Sequence, residues 1–244
     1  MQKKIFIGLL CLGMCACRVA QLTTLYNDQT SVEENGLRVD ANHEPITGVY
    51  QKYTNKMRLL EESHYVDGKL DGVYMAYGKK GKPILIAQYQ KGKLEGKAIS
   101  YYDNGKQKEI STYVHDKLHG SQLSYYESGS LRHKASYVRG KKHGVFEEYY
   151  PNSTIKISTT YKMGKLNGAY KIRDSKNQLV NYTEYVNGLR EGPAFTYYKN
   201  DTPKVLAYRH KDKLEGVAKE FDKRGRLIKL ITYQDGKEIN NVNF

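Results

Sequence analysis

The chain has 244 residues, 40 basic against 26 acidic side chains and a net charge of +14. Tyrosine dominates the aromatics, 23 against 5 phenylalanines with no tryptophan, and mean hydropathy is −0.72. This argues against a thick apolar core and favours a thin, extended structure, because tyrosine packs its ring while its hydroxyl stays wet.

The first element is an export signal. Lys3 and Lys4 precede an apolar run of 12 residues, Ile5 to Ala16. A spanning helix needs about 20 such residues, so the run reads as the h-region of a secretory signal peptide. "MCAC", Met14 to Cys17, resembles a bacterial lipobox, with Ala16 before the modified cysteine and Met14 where leucine is usual. The expectation is a lipoprotein signal peptide over 1–16 and lipidation at Cys17. Cys11, Cys15 and Cys17 are the chain's three cysteines, so no disulfide framework or thiol nucleophile is expected beyond them. Arg18 follows Cys17, where aspartate commonly signals inner-membrane retention. The expected address is therefore the outer membrane or cell surface. Residues 17–47 read as a lipid-anchored tether and N-terminal cap with a partial capping hairpin.

The remainder, 48–244, repeats itself. "YQKGKLEG", Tyr89 to Gly96, has near-copies at Tyr65, Tyr113, Tyr137, Tyr161 and Tyr185. The last glycines fall at Gly72, Gly96, Gly120, Gly144, Gly168, Gly192 and Gly216, always 24 residues apart, with Gly48 one step before and Asn240 one step after. The register therefore spans eight units from 48 to 240 without insertion. Five residues after the glycine stands an aromatic (Tyr53, Tyr77, Tyr101, Tyr125, Tyr149, Tyr197, Phe221), with Arg173 the exception. A turn glycine follows at Gly81, Gly105, Gly129 and Gly225. A second strand then carries a small residue (Ser63, Ala87, Ser111, Ala135, Thr159, Thr183, Ala207) and, two places on, a tyrosine. Even offsets share one face of a strand, so each unit predicts a β-hairpin. In the seventh unit Tyr208 arrives one place early, which predicts a local bulge or slip. The copied motif is expected to join hairpins: Tyr89 and Leu94 pack, Gly92 and Gly96 turn, and Lys93 and Glu95 face water.

This pattern resembles the MORN-repeat-variant family, some of whose members are labelled YwqK-like antitoxins. The resemblance implies an all-β fold: an elongated single-sheet antiparallel β-meander with one hairpin per repeat, about 75 Å across sixteen strands before twist. Asp116 and Asp212 in place of the motif's first glycine, "GLREG" at Gly188 and Arg173 depart from the pattern and are expected to mark less regular units.

Two columns could face a partner. Lys69, Lys93, Lys117, Lys141, Lys165, Lys213 and Lys237 recur three residues before the anchor position, with Leu189 the one break. Stacking would line them up about 10 Å apart, a basic ridge for anionic glycan or lipid headgroups. The competing reading is a solvated edge that discourages strand pairing. Tyr102, Tyr126, Tyr150 and Tyr198 point away from the preceding column and are candidates for an aromatic contact face. His119 and His143 sit one repeat apart, too far for an ordinary shared metal ligand set. No G-x-S-x-G, H-E-x-x-H or phosphate loop occurs. The expectation is a non-enzymatic cell-envelope lipoprotein without cofactor, binding protein partners and not nucleic acid. Two alternatives stand beside it: an immunity or antitoxin protein against an envelope-acting toxin, and an anionic-glycan or lipid binder.

Overall fold

A computed structural model describes residues 23–26, 29–33 and 35–244. The expected signal peptide over 1–16 and Cys17 lie outside the described residues. In chain order the strands begin β1 (Thr23–Tyr26), β2 (Thr30–Val32), β3 (Arg38–Asp40), β4 (Gly48–Tyr53), β5 (Leu59–Val66), β6 (Lys69–Tyr77) and β7 (Pro83–Gln90). They continue as β8 (Lys93–Tyr101), β9 (Gln107–Val114), β10 (Lys117–Tyr125), β11 (Leu131–Val138), β12 (Lys141–Tyr149), β13 (Ile155–Lys162) and β14 (Lys165–Leu166). The last are β15 (Gly168–Arg173), β16 (Leu179–Val186), β17 (Leu189–Tyr197), β18 (Pro203–His210), β19 (Lys213–Phe221), β20 (Leu227–Gln234) and β21 (Lys237–Asn243). No helix occurs among the described residues.

From β4 to β21 each strand pairs antiparallel with the next, an open single-layer meander in which β14 and β15 are two pieces of one strand against β13. The elongated meander of 24-residue hairpins is thus the fold. One addition breaks the antiparallel rule: β1 runs parallel to β4 along the sheet's first edge.

The copied motif does something different from what its composition suggests. It is strand, two-residue turn, strand. Lys91 and Gly92 both have positive φ, 50° and 80°, which makes a type I′ turn, the form whose twist matches the flanking strands. All eight motif turns share this sign pattern, from Asp67–Gly68 to Asp235–Gly236. The anchor glycine is not a turn residue. Ala87 faces Ala98 and Tyr89 faces Leu94, so Glu95, Gly96 and Lys97 bulge opposite Gln88 alone. Gly96 has φ 91°, a value that suits glycine, and the bulge recurs in the same register at β5–β6, β9–β10, β11–β12 and β16–β17. At the other end of each hairpin, Tyr102 N–H donates to Lys106 O and Gly105 N–H to Tyr102 O, closing a three-residue loop with Gly105 left-handed.

The I′ turns clasp one another across repeats. Gly92 N–H donates to Leu70 O, Gly164 N–H to Lys142 O and Gly236 N–H to Leu214 O. The other turn N–H finds the residue just before the anchor glycine: His115 N–H donates to Glu95, Lys211 to Glu191 and Asp235 to Glu215. Glu95 therefore holds its neighbour's turn and does not simply face water. Each such bond contributes about 0.5–1.5 kcal/mol net.

The departures from the pattern keep their turns, while the strand leading to Arg173 is split in two and the bulge beside Asp212 is displaced. Asp116 and Asp212 keep left-handed φ, 65° and 72°, and their carboxylates accept Leu94 N–H at 2.7 Å and Arg190 N–H at 3.0 Å. Asn187–Gly188 is an ordinary I′ turn, and Arg173 pairs with Leu179 as Tyr149 pairs with Ile155. The seventh unit does carry a local shift: Arg209 faces Leu214 as Tyr89 faces Leu94, but the bulge falls one residue early, with Tyr208 paired to Glu215 and Ala207 left opposite the bulge. A strand break falls at Asn167, between β14 and the β15 strand that ends at Arg173, and the Asn167 carbonyl is taken by the Thr160 hydroxyl.

The core is a line down one face. Ser63, Ala87, Ser111, Ala135, Thr159 and Thr183 are buried where the strands cross. The densest packing is at the first unit. Ile46, Tyr50 and Tyr65 cluster with Leu25 and Leu70, and the Arg38 guanidinium lies 3.9 Å from the Tyr50 ring centroid. The β2–β3 ladder and the Val39–Pro45 bridge lie just before this unit, and Arg38 N–H donates to Gly68 O of its turn.

Candidate binding surfaces

The seven lysines of the motif column are all exposed along the I′ edge, facing away from the tyrosines. Their stems lie over the next turn: a methyl placed on Gly92 would sit 3.8 Å from Lys69 Cβ, and one on Gly236 would sit 3.4 Å from Lys213 Cβ. Of these seven, Lys213 makes an ion pair, with Asp235 at 3.3 Å. Leu189 takes the missing lysine's place and is 45% exposed.

The second tyrosines work inside the sheet. Tyr102 and Tyr126 donate their hydroxyls to Tyr125 O and Tyr149 O at 2.7 Å, and Tyr150 and Tyr198 to Arg173 O and Phe221 O at 3.0 Å. Lys108, Lys156 and Lys204 lie 5.8–5.9 Å from the Tyr102, Tyr150 and Tyr198 ring centroids. What these residues retain for a partner is ring surface alone. His143 is also occupied, accepting Met163 N–H. Among the described residues no group of three His, Cys, Asp or Glu side chains is placed to hold a metal.

On the tyrosine face, the main column runs Tyr65, Tyr89, Tyr113, Tyr137, Tyr161, Tyr185 and then Arg209. Burial raises the hydroxyl pKa of Tyr89, Tyr137 and Tyr161 above the usual phenol value. Where Arg209 replaces the ring, the facing positions are also small: Ala194 lies opposite Ala207 and Ala218 opposite Ile231. The result is a trough of about 370 Å³ between Tyr170 and Tyr185 on one side and Tyr233 on the other. Arg190 and Arg209 stand at its I′ end. Arg190 Nε donates to Asp212 Oδ1 at 2.9 Å and Arg209 Nη1 to Asp212 O at 2.8 Å. Burial, and then the Arg190 charge, pull the Arg209 pKa below the ordinary arginine value. The sequence signal was the shifted Tyr208: it marks both the loss of a ring from the column and a bulge displaced by one residue.

The opposite face carries an apolar stripe that column-reading missed. Met75 faces Ile86, Ile86 faces Ile99, Ile99 faces Ile110 and Ile110 faces Leu123, one residue from each of five consecutive strands. All five are half-buried, and among the described residues no second layer covers them. Exposed Lys97, Lys108 and Arg132 share that face, and Lys134 continues the row beyond Leu123. The stripe changes residue identity between strands, so a repeat consensus averages it away.

Residues 94–115, 118–139 and 142–163 match the MORN repeat variant, three consecutive repeats in the middle of the sheet. Each match runs from the residue before the bulge, through the three-residue loop, to the start of the next I′ turn. MORN repeats are compatible with a binding or scaffold role. No curated protein matches the chain.

Proposed function

We propose that this chain is a non-enzymatic cell-envelope lipoprotein, anchored through a lipidated Cys17 at the outer membrane or cell surface, whose sheet binds a protein partner. The apolar stripe from Met75 to Leu123 carries this reading. A row of aliphatic side chains left uncovered by the described residues, rimmed by Lys97, Lys108 and Arg132, suits a partner with an apolar patch and an acidic border. The lipobox-like "MCAC" supports the anchor, and acylation supplies membrane attachment without any help from the sheet.

Cross-linking in the intact envelope, followed by mass spectrometry, tests the reading. The wild type should yield a discrete acidic partner. Met75→Glu with Ile99→Glu should lose it, while Lys93→Glu with Lys117→Glu retains it. A partner retained by the first pair and lost by the second would move the site to the lysine edge, the reading favoured by its exposed ammonium groups. Radiolabelled palmitate should enter the wild type and not Cys17→Ala. A partner encoded as a toxin beside this gene would make the role that of an immunity protein.

A further inference from the structure

The trough at units six to eight is built differently from the rest of the tyrosine face, and its rows have a chemical order. Nearest the I′ edge lie Tyr185, Arg190 and Arg209. The middle row is Thr183, Ala194, Ala207 and Ala218, a floor of small side chains. Toward the other edge lie Asn181, Thr196 and Glu220, all lining the same space. Arg190 pairs with the Asp212 carboxylate while Arg209 donates to the Asp212 main-chain carbonyl, so the first row carries two positive charges against one carboxylate. Tyr170, Tyr185 and Tyr233 flank the floor, and hydrogen-bonding groups stand across from the arginines. A ligand matching this order has one carboxylate, a compact saturated ring and neutral hydroxyls at its far side. Glu220 accepts from hydroxyls and repels a second anion, which disfavours phosphates and dicarboxylates.

We propose that the trough binds an acidic monosaccharide of the hexuronate class, free or as a glycan terminus, its carboxylate against Arg190 and Arg209 and its hydroxyls toward Asn181, Thr196 and Glu220. This site is separate from the apolar stripe and does not depend on it. A volume of about 370 Å³ sits at the small end of known ligand sites, about 300–1,000 Å³, and is of the right order for one sugar ring.

The full chain is titrated calorimetrically and by ligand-observed NMR with D-glucuronate, a glucuronate-terminated oligosaccharide, D-glucose, benzoate and inorganic phosphate. Glucuronate should bind saturably and the other three small molecules at least about tenfold weaker: glucose lacks the charged hydrogen bond, benzoate lacks the hydroxyls, and phosphate lacks the ring and meets Glu220. Arg209→Tyr restores the column residue and should weaken glucuronate by about tenfold or more. Ala194→Tyr, which mimics Tyr170 one unit earlier, should do the same by filling the floor. Tighter binding of the oligosaccharide assigns the site to glycan ends, and equal binding assigns it to the free sugar. Absence of saturable binding by both uronates overturns the proposal. So does glucose, benzoate or phosphate binding as tightly as glucuronate, or an unchanged affinity in both folded variants.

Discussion

In the second unit Tyr74 lies opposite Ala87 and meets Tyr89 edge-on, with ring centroids 6.1 Å apart. In the seventh, Ala194 lies opposite Ala207, and Arg209 stands where Tyr89 stood. The strands and turns are the same in both, and the bulge sits one residue earlier in the seventh. The tyrosine column therefore does not dictate the strands and turns. The I′ turns, their clasps and the bulge glycine do, and that leaves the face free to be filled in one unit and hollow in another.

The largest expected effect contrasts the two units directly. Tyr89→Ala removes a packed ring and should cost about 3 kcal/mol, whereas Arg209→Ala, beside an existing trough, should cost under about 1 kcal/mol, both read from urea midpoints. Equal losses would mean the column matters equally with or without its ring. The next effect sorts the bulges. Gly72 has φ 115°, and a methyl there would sit 3.1 Å from His64 Cβ, while Gly216 has φ 72° and open space around it. Gly72→Ala should cost about 2–3 kcal/mol and Gly216→Ala about 1 kcal/mol. Arg209→Tyr should raise stability by about 1 kcal/mol as the new ring covers the trough.

The smallest effect is acid sensitivity of the clasps. The Lys211 backbone N–H and the His210 side chain hold the Glu191 carboxyl below its ordinary value, and the Arg190 backbone and side chain do so for Asp212. A lowered folded pKa means that the unfolded chain takes up protons first as pH drops. The stability these groups contribute is complete above the ordinary carboxylate value of about 4 and is lost as pH falls through the depressed values. The melting temperature should stay level from neutral pH to about 5 and then fall, with a shallower fall in the Asp212→Asn variant.

The fold was legible because one backbone unit recurs with its period intact, and the hairpin follows from alternation alone. The role of each glycine was not. Gly92 and Gly96 look alike in sequence, yet one closes a turn and the other relieves a bulge, a difference set by strand pairing. Asp116 and Asp212 read as defects because their compensating partners, Leu94 N–H and Arg190 N–H, lie 22 residues upstream. The candidate surfaces were legible in part. The lysine edge is a column and shows as one. The trough needs three small residues from different strands to coincide with a lost ring, and the stripe needs Met75 and Leu123 to be seen as members of one row.

From Gly92 onward each turn is held by the motif one repeat before it, and among the described residues the sheet is not closed end to end. A deletion or duplication of one 24-residue unit would leave each remaining clasp with a partner of the same kind. Such a change would alter the molecule's reach in steps of about 10 Å, two strand spacings. Length in this architecture is a countable quantity, adjustable without rebuilding a core.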